Sequence, residues 1–135
     1  MSAFTDISAA LDSRTDLLSL PTAWENGDYT PENGTLYLRT TLLPADTVQS
    51  ELGSTGLDEH SGIYQIDVLA QSGGGKGQAI IQADLVADQF ARGTVLTYNG
   101  VNVRIGSVSR GVGNRQDAWF IFPVFIEYQS FITPR

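Results

Sequence analysis

Apolar positions along this chain change their period several times, and each change marks an element. Phe4, Ile7, Leu11 and Leu18 recur at steps of three, four and seven, the spacing of one helix face, with Ser2 or Thr5 placed to cap the start and Pro21 to end it. From Ala23 the pattern predicts a short strand, a turn at Asn26-Gly27-Asp28 and a loop through Pro31 and Asn33-Gly34. Over 35–43 the period is two: Leu36, Leu38 and Leu42 share one face, Tyr37, Arg39 and Thr41 the other, and Pro44 closes the strand. Residues 44–60 hold few large apolar groups. They read as an exposed connection with room for one helical turn, the longest loop of the chain and so its first candidate for a partner contact.

The period of two returns at 61–71, with Tyr64, Ile66 and Val68 facing inward and Gln65, Asp67 and Gln71 outward beside Ile63 and Leu69. Asp67 has Arg39 and Arg104 as candidate cross-strand partners. A glycine-rich turn then leads into a helix over 78–91, where Ile80, Ala83, Val86, Ala87 and Phe90 form a stripe and Gln82, Asp84, Asp88 and Gln89 the wet side; Gly93 suits its C-terminal stop. Asn99-Gly100 has the residues a type I′ hairpin turn demands, and pairing Tyr98 with Val101 sets Leu96 opposite Val103 and Thr94 opposite Ile105. Gly111-Val112-Gly113 reads as a loop between strands.

The last strand, 117–131, is apolar on both faces: Ala118, Phe120, Phe122, Val124, Ile126 and Tyr128 on one, Trp119, Ile121 and Phe125 on the other. Two apolar faces need two covers. A central strand between two helices is the plainer expectation, and a neighbouring subunit on the second face the alternative. Pro123 removes a ladder donor and implies an edge or a bulge. The whole order predicts an α+β fold, a mixed, mostly antiparallel β-sheet with two helices packed on it, as one domain over 1–135.

Composition narrows what such a fold could do. There is no Cys and no charged-then-apolar leader, so neither a disulfide framework nor a secretory signal is expected and the cytoplasm is the default compartment. The longest uncharged apolar stretch, 118–126, is far short of the roughly 18 residues of a bilayer span, so no membrane partner is expected. The net charge of −7, with Lys76 the only lysine, argues against a grip on a phosphate backbone. That charge is uneven. Residues 1–75 carry 11 acids and 2 bases, and residues 76–135 carry 4 acids and 6 bases. A solvated surface explains this blandly; self-complementarity between copies in a head-to-tail ring is the sharper reading.

Motifs for chemistry are weak. In Gly73-Gly74-Gly75-Lys76-Gly77 a nucleotide loop would need Gly at 70 and Ser or Thr at 77, where Ala70 and Gly77 stand, so a flexible turn is the better reading. His60 is the only histidine and lies beside Asp58 and Glu59 with no Cys, second His or placed nucleophile, which describes a solvated side chain. No catalytic residue, cofactor or metal ligand is assigned. Trp24, Trp119 and the six Phe read as core.

Several anchors together carry a resemblance: Trp24-Glu25-Asn26, Pro31, Gly34 through Arg39, Leu42-Leu43-Pro44, Gly62 through Val68, the glycine-rich turn before a helix, and a final strand opening on Asp117-Ala118-Trp119-Phe120. This pattern, from Leu11 to Tyr128, resembles the tail terminator (tail-completion) proteins of long-tailed bacteriophages, the lambda-type minor tail proteins of the phage neck. The resemblance implies a structural virion protein, assembled in the host cytoplasm. It would form a hexameric ring that caps the tail tube, stops its polymerisation and docks the head connector. Its partners would be copies of itself, the tube protein and the connector, with DNA passing through unbound. On that reading Asp46, Glu51, Asp58 and Glu59 in the 44–60 loop are candidate contacts with tube or connector, and Arg110 and Arg115 in 106–116 a second mating patch. Another connector or head-completion protein is the alternative within this class. An enzyme resting on the glycine-rich loop and His60, or a monomeric binding module resting on the long loop and acidic surface, are the alternatives outside it.

Overall fold

A computed structural model describes residues 3–32, 34–49 and 56–132. The elements run α1 (Ala3–Asp16), β1 (Thr22–Ala23), β2 (Tyr37–Pro44), β3 (Val48–Gln49), β4 (Asp58–Gln71), α2 (Gly77–Gln89), β5 (Val95–Tyr98), β6 (Val101–Arg110), β7 (Asn114–Gln116) and β8 (Trp119–Ile132). They form one eight-stranded sheet in the order β1-β2-β4-β8-β6-β5, with β3 paired to β4 and β7 to β8 beside that path. Among the described residues only β1 and β2 pair in parallel. The expected α+β class, a mixed and mostly antiparallel sheet carrying two helices, is the fold found.

Helix α1 buries Ile7, Ala10 and Leu11 completely or nearly so, a stripe at steps of three, one and four that faces the sheet. It stops at Asp16, earlier than Pro21 suggests: Leu17 and Leu18 close tight turns onto Arg14 and Thr15, and Ser19 takes a left-handed φ of 57°. Leu18 therefore reaches the core from a turn, not from the helix. Thr5 lies inside the helix and so cannot cap it, while Ser2 lies outside the described residues. Phe4, half exposed, overhangs the sheet end beside Pro44.

Helix α2 turns Ala79, Ala83, Val86 and Phe90 inward. Small residues let the first turns lie close to the strands, and Phe90 fills the remaining gap against Tyr64, with ring centroids 6.0 Å apart. The helix stops before Gly93: it ends at Gln89 with Phe90 as its cap. Gly93 instead closes the turn that returns the chain to the sheet, where its N–H bonds the Ile105 carbonyl at 2.8 Å. The Arg14 guanidinium donates to the Gln89 carbonyl at 2.8 Å, satisfying an end carbonyl of α2 from α1.

Both helices therefore lie on the same face, over one continuous core that also holds Leu38, Tyr64, Ile66, Val68, Val124 and Ile126. This corrects the expectation of a central strand covered by a helix on each side. Strand β8 is central, flanked by β4 and β6, but its second face has no helix over it among the described residues. The physical reason lies in the connections. The 77–89 helix crosses from β4 to β5 and α1 leads into β1, and neither crossing is obliged by its pattern to choose a side.

The hairpin register is the expected one, Tyr98 on Val101 and Leu96 on Val103, with positive φ at Asn99 and Gly100. Asn99 also donates to Asp6 of α1, tying the turn to the helix. Strand β6 continues beyond Ile105 through a bulge before Val108 and runs on to Arg110. Pro123 sits where the ladder changes partner: its carbonyl accepts from Gly111, between the end of β6 and the start of β7. Amide and carbonyl of one strand residue point to the same side, so the donor that proline lacks would have faced this gap.

Candidate functional site

Odd-numbered residues of β2, β4 and β8 point away from the helices, and the register aligns them in rows across the sheet: Tyr37, Leu69 and Ile121; Arg39, Asp67 and Pro123; Leu43, Ile63 and Glu127. At one end of this second face Tyr37, Leu69 and Ile121 are buried, and Ala23, Tyr29 and Trp119 pack on them. Tyr37 stacks edge-on to Trp119 and tilted to Tyr29, each at 5.0 Å. The turn at Asn26-Gly27 places this cover: Gly27 donates to the Trp24 carbonyl and Asn26 adopts φ 58°. Removal from water pushes the Tyr37 hydroxyl pKa up, against the pull of Arg39.

The middle of the face is polar but closed. Asp67, 2% exposed, accepts two N–H bonds from Arg39 at 3.0 and 2.8 Å and one from Gln65 at 2.8 Å. Arg39, of the two candidate partners, is the one bonded to it. Among the described residues every buried side-chain N or O has a partner. This network is a floor whose buried groups are all satisfied, while Arg39 keeps its remaining N–H groups toward solvent.

The far end is open. Leu43, Ile63, Phe125, Phe131 and Val95 lie on this face with no helix above them among the described residues, and Phe131 and Val95 are each 50% exposed. Beside Ile63 a shallow cleft of about 450 Å³ is bordered by Glu59, Arg104, Glu127 and Gln129, and Val95 and Phe131 border a neighbouring one. Gln129 donates to Glu59 across the β4–β8 pair.

The residues expected to make contacts fall in different places. Asp46 is exposed in the link between β2 and β3. Glu51 lies outside the described residues. Asp58 and Glu59 are not in a loop: β4 begins at Asp58 and pairs Asp58 with Ile132 and Glu59 with Phe131. Val48–Gln49 is likewise a strand, paired with Glu59 and Asp58, where a helical turn was expected. The sequence Asp-Glu-His-Ser-Gly shows no alternation of apolar and polar residues. Backbone pairing needs none once β8 is long enough to offer a ladder. Arg110 ends β6 and is bound to Asp84 of α2 at 2.7 Å, while Arg115 in β7 donates to Ser72. These two arginines lie on the same half of the sheet but hold separate partners.

The two chemical candidates, His60 and the glycine-rich turn, stand at different places in the fold. His60 is in β4 with Thr47 hydroxyl 3.3 Å from its Nδ1. Gly73 and Gly75 of the turn before α2 take φ of 92° and 81°, which explains glycine there by backbone conformation. Among the described residues no group of three His, Cys, Asp or Glu could hold a metal. A second cleft, of about 440 Å³, has Asp12, Glu25 and Tyr64 among its lining residues. Burial raises the Asp12 pKa, Glu25 adds to that, and the 2.7 Å bond from the Tyr64 hydroxyl opposes it. Tyr64 is also raised by burial and by the facing Asp12, and its hydroxyl lies 3.0 Å from that of Thr15. Glu25 spends one carboxylate oxygen on the Leu42 N–H at 2.8 Å, closing an edge position of β2. This cleft locks α1 to the sheet.

Fold and surface thus define a class: an acidic α+β protein with one sheet face sealed by helices and part of the other open to solvent. A family profile described as phage tail terminator protein matches residues 6–128, and the chain belongs to that family. The family is a structural one, which makes this a component of the phage tail. One solved structure aligns over 100% of this chain and 100% of its own, with a TM-score of 0.80 and 25% identity. The search of curated proteins returned no match.

Proposed function

We propose that this protein forms a hexameric ring that caps the tail tube, halts its polymerisation and offers a docking surface to the head connector, without catalysing a reaction. Family membership over 6–128 carries this reading. The molecule is compatible with it in three respects. The open end of the second sheet face provides apolar area with a charged rim. The short outer strands leave edge positions that a neighbouring subunit can cover. A net charge of −7 suits a channel that DNA must traverse without sticking, because carboxylates on the lumen repel phosphates within a Debye length of roughly 8 Å. Asp46, Glu51, Asp58 and Glu59 are proposed on the tube or connector side, and Arg110 and Arg115 on the subunit contact.

The test is order of assembly. Purified protein is mixed separately with isolated tail tubes and with DNA-filled heads, and both are imaged by electron microscopy. A terminator binds tube ends first, as rings, and tubes so capped no longer elongate when tube protein is added. Capture by heads alone would instead make it a head-completion protein. Solitary particles at both targets would leave the binding-module reading.

A further inference from the structure

Helix α2 carries apolar side chains on two opposite sides. One side is the buried stripe of Ala79, Ala83 and Val86. At 3.6 residues per turn Ile81 and Leu85 stand about 200° around the helix from Ala79 and Ala83. They are 65% and 50% exposed. Helix propensity accounts for Leu85 but disfavours the β-branched Ile81. Exposed Asp88 continues this outer stripe, completing the i, i+4, i+7 spacing of a single helix face.

The second face of the sheet has the reverse deficiency, a cleft with no helix laid on it among the described residues. It measures about 340 Å³ and is lined by Val95, Asn102, Arg104, Gln129, Ser130 and Phe131. Val95 faces Arg104, Arg104 faces Gln129, and Phe131 lies two residues beyond Gln129 on β8. Two strand spacings and two residues of rise put Val95 and Phe131 about 12 Å apart, close to the width of a helix with its side chains. Polar groups between them are already engaged: the Thr97 hydroxyl donates to Asn102 Oδ1 at 2.8 Å, and Gln129 donates to Glu59. A helix laid there leaves them satisfied. Arg104 is the charged residue of this lining. Glu59 and Glu127 line the adjoining cleft, which Arg104 borders as well, but neither pairs with it. Arg104 and Asp88 have no ion pair among the described residues.

We infer that the outer face of α2 in one copy of this chain seats in this cleft of the next copy, with Ile81 and Leu85 between Val95 and Phe131 and Asp88 toward Arg104. Each surface supplies what the other lacks: a helix with apolar residues left in water, a sheet face without a helix, and opposite charges without a partner. Cleft against cleft would set Arg104 near Arg104, and helix against helix Asp88 near Asp88. Because the two surfaces lie on opposite faces of one sheet, the contact is heterologous and passes from copy to copy, the type that closes into rings. Asp84, beside the stripe, has its charge met by Arg110, so that arginine stands at the rim of the same contact. This assignment depends on the ring reading and names the surfaces that build the ring.

The chain has no Cys, so introduced thiols report the contact directly. L85C and F131C alter exposed positions, and V95C replaces F131C should that variant fail to fold. Treated with a short bismaleimide, with and without tail tubes, an equal mixture of L85C and F131C should give joined dimers, and each variant alone none. The double variant L85C/F131C should give a ladder on a denaturing gel that ends at the closed ring. Charge is read separately: D88R and R104D should each raise the assembly midpoint about fivefold, and D88R/R104D should restore it. Wild-type rings in electron micrographs, with no joining in the mixture, would overturn the assignment and leave the ring standing. F131C joined to itself would overturn it in favour of a two-fold contact. Wild type remaining single both free and on tubes would overturn ring and assignment together.

Discussion

The two faces of the sheet come from the same strands, yet they do different work. Under the helices, Val124, Ile126, Ile66 and Val68 are wholly excluded from water, and the cluster runs unbroken from α1 to β6. On the opposite face burial is divided into a small aromatic cluster, a closed Arg39–Asp67 network, and an end where Phe131 and Val95 stay half in solvent. The difference teaches that apolar residues on both sides of a strand need not mean a buried strand. Stability is concentrated on one face, and the other leaves part of its apolar area in solvent.

The sharpest way to break this contrast is to hollow the covered face. Phe90→Ala removes a fully buried ring against Tyr64 and is expected to lose about 3–5 kcal/mol of stability, read as a lower midpoint in denaturant. A loss under about 1 kcal/mol would mean the helix is loosely seated. Next in size is Gly62→Ala, about 1–3 kcal/mol, because an added Cβ would stand 2.5 Å from the Leu43 carbonyl oxygen and 2.7 Å from the Tyr128 hydroxyl. Backbone cannot swing aside, so thermal unfolding should come earlier.

On the second face Arg39→Met leaves the Asp67 carboxylate with Gln65 as its remaining side-chain donor in that network. Because Arg39 itself is half exposed, the expected loss is about 1–2 kcal/mol and not that of a fully buried pair. Asp12→Asn sharpens the comparison through pH. Burial raises the Asp12 pKa in the folded state, so its contribution to stability is fullest below the unfolded value and is lost as pH rises through the folded one. Asn keeps an acceptor for Tyr64 without that titration. The stability of the variant relative to wild type should therefore grow as pH climbs through the acidic range and then level off, as unfolding measured across pH would show. The smallest effect on stability is expected at Phe131→Ser, within about 0.5 kcal/mol, with weakened assembly on tail tubes as its main consequence. A large loss of stability there would abolish the distinction between the faces.

Local chemistry settled much of this protein before any coordinates. Asn99-Gly100 accepts positive φ at two successive residues, so the hairpin and its register followed from the sequence. Alternation in 61–71 likewise names Tyr64, Ile66 and Val68, and the helical stripe Ala83, Val86 and Phe90, because burial imposes a period; but Ala79 is buried where Ile80 was expected, and Asp67 and Leu69, expected outward, are buried on the second face. The anchors spread from Leu11 to Tyr128 were enough to indicate the family. What stayed hidden depended on partners distant in the chain. Asp58-Glu59-His60 is a strand because β8 reaches Ile132, and no pattern in those three residues reports the length of β8. Both helices share one face because of how their connections cross the sheet, and which strands end as its borders is known only from the strand order. Periodicity is set by the contact of a residue with its own element's environment, whereas side, border and neighbour are set by the packing of elements, which no local pattern encodes.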